Sequence, residues 1–262
     1  MDHTEERHQP TMRVLGTLRV LAQHPEGMSL VDIARSLGAS KSTLLAVLRT
    51  MVHERFASYD KATQRYRLGM AAFTVGSRFT ESAPLSKLLR DEMEDLVGKC
   101  GETCQLGVLE GADVFYILKV DSPAPIRLMS NVGMRLPAYR TALGKALLSD
   151  LTRDEVRELL PGRLERMTKN TLTSADAFYD DVERQRPAGI FCEDEESGPG
   201  VVCFAVPLCR DGEILAAASL SMPAFRMTDE KRARVRELLP EFKRRAESLL
   251  DAHRDGDDLF CS

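Results

Sequence analysis

The sequence predicts an α+β protein with a small helical domain at the front and a larger domain built on an antiparallel sheet. Near the front, apolar residues recur at i, i+3, i+4 and i+7 on either side of Gly38, which is typical of two short helices joined by a tight turn. After Gly101 the pattern runs through three strand-like segments, helices, three more strand-like segments and a final helix. This order indicates one α+β domain with an antiparallel sheet.

The two short helical patterns carry signals for helix ends. Ser29 and Asp32 form an S-x-x-D capping signal at the start of the first helix, and Ser40 can cap the second. Gly38 can adopt the left-handed conformation that ends a helix without steric cost. Two short helices joined in this way form a helix-turn-helix, whose second helix commonly enters the major groove of DNA. The alternative is a helical hairpin packed inside an ordinary domain.

The second helix has an outward face suited to DNA. If Leu44, Leu48 and Met51 face inward, its basic and hydroxyl side chains face outward. The free amides at its amino end favour a phosphate, and Lys or Arg side chains can contact phosphate or guanine. The residues expected at a DNA interface in and before this helix are Ser29, Ser40, Lys41, Ser42, Thr43, Leu45, Ala46 and Arg49.

The flanking segments complete a winged helix-turn-helix. A first helix is predicted at 14–22 and ends at the run His24-Pro25-Glu26-Gly27. Residues 56–59 and 65–68 are strand-like and flank a polar loop, which predicts a hairpin, or wing, directly after the second helix of the motif. Three basic side chains on this wing are expected to reach phosphates or a minor groove, although surface solubility would also explain them. These are Lys61, Arg65 and Arg67.

The charge of the chain is unevenly distributed. The net charge is −4, yet residues 10–70 hold nine basic and four acidic residues, so this segment is +5 and the remainder is −9. A basic reading head on an acidic body fits a nucleic-acid partner, although charge runs are often only solvated faces. No apolar run reaches membrane-spanning length, and the start of the chain is too polar for a signal peptide. We therefore expect a cytoplasmic protein with no membrane partner.

An enzyme is the main alternative for the larger domain. All five histidines lie outside residues 54–252, so this region has no imidazole for a Ser-His or Cys-His pair or for a common metal triad. Gly144-Lys145 lacks the rest of a phosphate-binding loop, and the acidic run from Glu193 to Glu196 is expected to be solvated. The six cysteines show no paired metal spacing and are expected to be buried thiols. We expect no catalysis, no metal site and no cofactor.

The element pattern sets expected domain boundaries. We expect a disordered start at 1–9, the winged helix-turn-helix at 10–70, a linker helix at 71–83, the larger domain at 84–254 and a loose tail at 255–262. In the larger domain, the expected strands are 103–109, 114–120, 126–130, 190–192, 201–208 and 214–221. The expected helices start at Pro84 and then span 141–149, 152–160, 173–186 and 228–253.

Five motifs occur in a specific order along residues 10–252. They are LVDIARSLGASKSTLLAVLRTM at 30–51, YRLG at 66–69, GET at 101–103, TALGKALL at 141–148, and G-I-F-C-E-D-E-E-x-x-x-G-V-V-C-F-A at 189–205. Each motif is weak alone. In this order and at these spacings, the chain resembles the IclR family of bacterial transcription regulators.

The resemblance implies a GAF-like effector-binding domain after the linker helix, and dimers or tetramers that bind palindromic operators. It also implies an effector that is a small organic acid, an aromatic acid or another catabolic intermediate, and it leaves repression and activation both open. The ligand-binding positions carried over from the resemblance, with Arg140 beside them, are Leu128, Leu136, Arg140, Ala142, Leu143, Glu193, Cys203, Ser219 and Ser221.

The residues themselves allow such a site. Ser219 and Ser221 are two apart on a predicted strand and share a face, where two hydroxyls can bind a carboxylate. Thr141 to Leu143 open a predicted helix, whose amides can hold an anion. The alternative is that small residues fill a core. We expect a regulator whose operator binding is controlled by a small metabolite. The alternative is a winged helix that binds only protein, and the +5 charge of the first domain argues against it.

Four positions depart from the family pattern. Ala46 replaces a usual Arg in the second helix of the motif, which removes a contact with phosphate or guanine. Arg55 replaces a usual Gly before the wing, so the turn there could differ. Tyr139 takes a position often held by His. Glu193 replaces Asp and brings its carboxylate about one methylene further into the pocket, where it could accept a hydrogen bond or repel a second acid group.

Overall fold

The computed structural model describes residues 8–81, 84–126 and 130–253. Contacts divide the chain into two compact units, Met1–Ser82 and Ala83–Ser262. Among the helices in these described ranges, none combines the length and the apolar composition needed to cross a bilayer.

The predicted disordered segment, residues 1–9, includes Gln9, which the structure places in a helix. Residues 1–7 lie outside the described residues, but Gln9 already belongs to a helix. Pro10 follows it in the first turn, where a fixed backbone angle and a missing amide hydrogen favour helix initiation. The expected loose tail at 255–262 lies outside the described residues.

The first unit is a winged helix-turn-helix followed by one further helix, as the sequence predicts. Its elements are α1 Gln9–Ala22, α2 Leu30–Ser36, α3 Lys41–His53, β1 Ala57–Asp60, β2 Arg65–Leu68 and α4 Met70–Glu81. The two strands pair antiparallel and form the wing. Leu21, Ile33, Leu44, Leu48 and Tyr66 are buried together in the core of this unit.

The turn between α2 and α3 has the predicted chemistry. Gly38 has a φ of 59°, which costs glycine no steric strain. The Ser29 hydroxyl accepts a hydrogen bond from the Asp32 amide at 3.2 Å, and the Ser40 hydroxyl accepts one from the Thr43 amide at 3.2 Å. Both helices therefore begin at a serine cap, which fixes the angle at which α3 leaves the turn.

The turn before the wing keeps a left-handed residue although it has no glycine there. Arg55 has a φ of 61°. Its carbonyl accepts a hydrogen bond from the Ala71 amide, and Gly69 packs so closely that a Cβ there would lie 2.1 Å from the Arg55 oxygen. A non-glycine residue thus adopts the left-handed conformation here and bears its steric strain.

We expect Arg55→Gly to raise the free energy of unfolding of the first unit by about 0.5–1 kcal/mol, because glycine adopts a positive φ without strain. The gain is measured as a shift in the urea midpoint followed by circular dichroism. Arg55→Ala is the control, since it removes the long side chain and keeps the strained Cβ. Equal shifts for the two variants would contradict a backbone origin.

The second unit is built on one six-stranded antiparallel sheet with the order β5-β4-β3-β8-β7-β6. The strands are β3 Thr103–Glu110, β4 Asp113–Val120, β5 Arg135–Pro137, β6 Phe191–Asp194, β7 Val201–Arg210 and β8 Glu213–Pro223. The helices are α5 Pro84–Cys100, α6 Ala142–Leu147, α7 Arg153–Leu159, α8 Ala175–Gln185 and α9 Asp229–Ala252. The predicted α+β class with an antiparallel sheet is confirmed.

Alternation along β8 separates the two faces of this sheet. Leu220 and Met222 pack with α5 and α9 in one apolar core, whereas Ala217 belongs to a second core with α6 and α8 on the opposite face. Ser219 and Ser221 share the face of Ala217 because successive strand residues point to opposite sides. The helices therefore cover the sheet on both faces, and the serine pair lies in the layer with α6.

The third strand of the sheet differs from the sequence prediction. The strand expected at 126–130 falls partly on residues 127–129, which lie outside the described residues, and neither Ile126 nor Ser130 is in a strand. On the side away from β3, β4 pairs with β5, which is only three residues long and ends at Pro137. So short a segment, with a proline that cannot donate to the ladder, gives little periodic signal.

Candidate functional site

The outward face of α3 carries the predicted basic and hydroxyl side chains. Lys41, Ser42, Ala46 and Arg49 are exposed. Thr43 and Leu45 are half-buried, and the side chains predicted to face inward are buried. Lys41 and Ser42 are the first two helical residues, so their amides have no partner within the helix. This end of α3 can therefore present both amides and a cation to a phosphate.

Ser29 and Ser40 have a different role from the other predicted interface residues. Each hydroxyl accepts from an amide of the helix that it caps. Ser29 also donates to an Asp32 carboxylate oxygen at 2.7 Å, and Ser40 contacts the Thr43 hydroxyl at 2.8 Å. Their side chains cap the two helices and hold the motif in shape.

The wing exposes the three predicted basic residues. Lys61, Arg65 and Arg67 are all exposed. A guanidinium nitrogen of Arg65 donates to the Gly27 carbonyl at 2.7 Å, which ties the wing to the connection between α1 and α2. Lys61 and Arg67 are thus the wing residues best placed to contact phosphate, while Arg65 fixes the position of the wing.

The second unit contains a cavity of about 220 Å³ on the face of the sheet covered by α6. This is larger than an engineered cavity of roughly 150 Å³ that binds benzene, so a substituted ring or a short acid fits. Its lining residues are Gln105, Tyr116, Ser130, Met134, Leu136, Thr141, Ala142, Leu143, Glu193, Ser197, Gly198, Val201, Cys203, Ser219 and Ser221.

Most ligand positions carried over from the family resemblance meet in this cavity. Those that line it are Leu136, Ala142, Leu143, Glu193, Cys203, Ser219 and Ser221. Arg140 is not among the lining residues, and Leu128 lies outside the described residues. The first turn of α6 borders the cavity, but a helix of six residues has a small dipole, so any contribution comes from its individual amides.

Gln105 holds the serine pair at the polar end of the cavity. The Ser219 hydroxyl donates to Gln105 Oε1 at 3.2 Å and the Ser221 hydroxyl donates to the same oxygen at 2.9 Å. Gln105 Nε2 donates to the Ser130 hydroxyl oxygen. All four side chains are buried. The two serines lie on one face of the strand, as predicted. Both are hydrogen-bonded to a glutamine that sequence reasoning missed.

Tyr116 contributes a free hydroxyl to the same end. The residue is buried and lines the cavity, and its hydroxyl has no hydrogen-bond partner among the described residues. Burial raises the pKa of Tyr116, with the thiol of Cys203 and the carboxyl of Glu193 acting in the same direction and the charge of Arg140 opposing them. A neutral phenol that can donate one hydrogen bond therefore points into the cavity.

Glu193 holds the loop that follows it through its carboxylate. Its carboxylate accepts from the Glu196 amide at 2.8 Å and from the Ser197 amide at 3.3 Å, and the Ser197 hydroxyl donates to it at 2.8 Å. Burial raises the pKa of this carboxyl, and the donors, with the Cys203 thiol among them, act in the opposite direction. The carboxylate thus serves the loop and borders the ligand space.

We expect Glu193→Gln to gain stability relative to the wild type as the pH rises. Because burial raises the folded-state pKa of Glu193 above its ordinary 4.5, the stability linked to the protonated form is fully present below the unfolded pKa. It is lost as the pH rises through the folded pKa. Glutamine does not titrate, so the variant-minus-wild-type free energy of unfolding should increase between about pH 4 and 8 in urea titrations. The exposed Glu158→Gln is the control, and a flat difference for Glu193→Gln would contradict the raised pKa.

The acidic run is solvated only in part, since Asp194 is exposed whereas Glu196 is held inside by a buried lysine. Lys145 is fully buried, and its ammonium lies 2.7 Å from Asp181, 2.5 Å from Glu196 and 3.0 Å from the Cys192 carbonyl. Glu193 and Glu196 are both buried. Burial raises the pKa of Glu196, and the charge of Lys145 opposes that rise. The loop after β6 is therefore tied to α6, whose first turn borders the cavity.

The cavity residues that sequence reasoning missed include one on β3 and one on β4. Gln105 is a polar residue inside an apolar strand, and Tyr116 is two positions from Val114 on the buried face of β4. A polar residue at a buried strand position is a detectable signal, because burial of an amide requires hydrogen-bond partners. In the described ranges, no group of three His, Cys, Asp or Glu side chains could hold a metal ion.

Two family models match this chain. The model described as bacterial transcriptional regulator IclR C-terminal matches residues 77–247, and the model described as IclR helix-turn-helix domain matches residues 10–61. The chain belongs to the IclR family. Curated relatives agree, since the HTH-type transcriptional regulator KdgR of Escherichia coli is 31% identical over 88% of this chain and 88% of its own length. The transcriptional repressor IclR of Escherichia coli is 30% identical over 85% of this chain and 83% of its own length.

Solved structures show the same fold. An IclR transcriptional regulator from Alicyclobacillus acidocaldarius has a TM-score of 0.83 and 25% identity, covering 93% of this chain and 99% of that one. An IclR homologue from Microbacterium hydrocarbonoxydans in complex with 4-hydroxybenzoate has a TM-score of 0.79 and 23% identity, covering 92% of this chain and 98% of that one, and supports the fold alone. This IclR-family chain is a helix-turn-helix transcriptional regulator with a C-terminal effector-binding domain.

Proposed function

We propose that this regulator binds a palindromic operator as a homo-oligomer in the cytoplasm, and that a small acid in the cavity of the second unit changes operator binding. The observation that carries the ligand half of this proposal is the cavity itself. Its polar end holds two serine hydroxyls and a free phenol, and its walls are apolar. This combination suits one acid group on a compact apolar body.

The chemistry of the cavity favours a ligand with a single acid group. Ser219, Ser221 and Tyr116 supply hydroxyls, which can donate to a carboxylate. The described lining residues include the Glu193 carboxylate but no lysine or arginine. A second acid group near Glu193 would therefore be repelled. Met134, Leu136 and Val201 provide the apolar walls.

An oligomer is supported by the surface of the first unit. Met70, Phe73 and Val75 on α4 are 70%, 68% and 63% exposed. Large apolar side chains so exposed on one helix are typical of a surface that another chain covers. In an oligomer, α4 would carry a change in the second unit to the DNA-binding heads, and differential ligand affinity for two arrangements of the heads would supply the switch.

We propose that the cavity binds its ligand without converting it. Cys203 is the thiol that lines the cavity, and burial raises its pKa well above the usual range, which keeps it a thiol rather than a nucleophilic thiolate. Tyr116 is held neutral in the same way. The described lining residues include no histidine that could act as a general base.

The test is the double variant Ser219→Ala with Ser221→Ala. We expect it to lose the thermal shift that the wild type shows with at least one member of a panel containing pyruvate, benzoate and 4-hydroxybenzoate. It should bind DNA from upstream of its own gene within about twofold of the wild type, because those serines lie in the other unit. Ser149→Ala, a buried serine outside the cavity, is the matched control. A double variant that still responds to the acid would show that the ligand binds elsewhere.

A further inference from the structure

The hydrogen bonds of Gln105 impose a direction on the polar end of the cavity. Gln105 Oε1 accepts the hydroxyl hydrogens of both Ser219 and Ser221, so the pair faces the cavity with oxygen lone pairs only. Lone pairs suit a ligand that donates a hydrogen bond, such as an alcohol, and repel a carboxylate. A carboxylate ligand therefore requires this arrangement to change.

We propose that Gln105 is the specificity-determining residue of the cavity and acts as an amide switch, which turns its terminal amide over when an acid binds. This proposal rests on the proposed acid effector. After the turn, the two Nε2 hydrogens donate to the two serine oxygens, and Oε1 accepts from the Ser130 hydroxyl. The serine hydrogens are then free to donate to the ligand carboxylate.

In the orientation of the structure one Nε2 hydrogen is paired, with the Ser130 oxygen, whereas in the turned orientation both are paired. The amide nitrogen has two hydrogens for two serine oxygens, and a hydroxyl can rotate to donate or accept as its partner requires. The terminal torsion of glutamine is broad and roughly twofold, so the turned amide costs no rotamer strain. Gln105, Ser130, Ser219 and Ser221 are all buried, so each arrangement must satisfy its hydrogen bonds within this group or with the contents of the cavity.

Ser130 is held in place as the fixed partner of the switch. The Lys119 ammonium donates to the Ser130 carbonyl at 2.5 Å and lies 2.8 Å from the Asp121 carboxylate. Only 13% of the Lys119 side chain is exposed, so this contact is well shielded from solvent. The Ser130 backbone is thereby anchored to β4, while its hydroxyl remains free to rotate between donating and accepting.

The test compares two substitutions that separate a switch from a simple ligand contact. Gln105→Glu keeps an acceptor opposite the serines but cannot donate, so the serine hydrogens stay committed and the new charge repels an acid. Gln105→Met has a similar length, no donor and only a weakly accepting sulfur, so the serine hydrogens are largely free from the start. Dissociation constants are measured at pH 8 by calorimetry on the full chain, with benzoate as the acid and benzyl alcohol as its neutral counterpart.

We expect Gln105→Glu to weaken benzoate binding by about 10- to 100-fold and to retain benzyl alcohol, while Gln105→Met binds benzoate at least as tightly as the wild type. Loss of benzoate binding in Gln105→Met by more than about tenfold would overturn the switch, because it would make Gln105 a direct ligand contact. The melting temperature of ligand-free Gln105→Met is compared with that of the wild type, and equal values show that a loss of binding does not come from misfolding. Gln105→Met alone decides the question if Gln105→Glu does not fold. If the wild type binds none of benzoate, pyruvate and 4-hydroxybenzoate, the proposed acid effector itself is wrong and the switch is overturned with it.

Discussion

Replacing Lys145 with methionine is expected to lower the free energy of unfolding of the second unit by about 3–5 kcal/mol, because it leaves the buried Glu196 carboxylate without its cation and leaves the half-buried Asp181 carboxylate paired only with the exposed Arg184 among the described residues. The ammonium lies within 2.7 Å of both Asp181 and Glu196, and the lysine side chain is fully buried. Methionine fills much of the same volume, so the loss reports charge rather than a cavity. Urea unfolding followed by far-ultraviolet circular dichroism measures it, which suits a chain without tryptophan.

A matched surface pair provides the control for Lys145. Lys99 also lies 2.7 Å from a carboxylate, that of Asp95, but 34% of its side chain is exposed. Lys99→Met should therefore cost less than about 1 kcal/mol. Adding Asp181→Asn and Glu196→Gln to Lys145→Met should recover part of the loss, since both side chains are then neutral. A loss below about 1 kcal/mol for Lys145→Met would show that the carboxylates are protonated or hydrated without it.

The double variant Lys41→Ala with Arg49→Ala is expected to weaken operator binding by about 100-fold or more. The two exposed cations are eight positions apart on α3, or about 12 Å along the helix axis, which matches the width of a major groove. Fluorescence anisotropy with DNA from upstream of the gene gives the affinity. The slope of log affinity against log salt should fall in magnitude by up to about two, as two phosphate contacts are lost.

Arg19→Ala is the control for operator binding, because Arg19 is an exposed cation on α1 of the same unit. It should leave the affinity within about threefold of the wild type. Ligand-induced thermal shifts should be unchanged in all three proteins, since the cavity lies in the other unit. Equal loss of affinity in Arg19→Ala and in the double variant would point to general charge rather than to the face of α3.

Local signals explain why the first unit could be predicted closely from the sequence. The caps at Ser29 and Ser40, the left-handed Gly38 and the helical spacing of apolar residues all act within a few positions of the chain. In the second unit, strict alternation placed Ser219 and Ser221 on one face for the same reason. Such features are decided by neighbouring residues, and a sequence displays them directly.

The parts that could not be predicted depend on partners far apart in the chain. Lys145 is 51 positions from Glu196, and Gln105 is 114 positions from Ser219. Only the pairing of β3 with β8 brings Gln105 opposite Ser219, and a shift by one residue would turn it to the other face. The burial of Glu196 could not be predicted because its cation is supplied by α6 rather than by its own segment.

Strand β8 is the single layer of backbone that separates the cavity from the apolar core formed with α5 and α9. On one face it carries Ser219 and Ser221, which line the cavity, and on the other it carries Leu220 and Met222, which pack in the same core as α5 and α9. Consecutive residues share a peptide plane, so a tilt of the backbone at Ser219 would also move Leu220, whose side chain lies on the opposite face of the sheet. A change in the backbone of β8 on ligand binding would therefore act directly on the side chains that pack against α5, the first helix of the second unit.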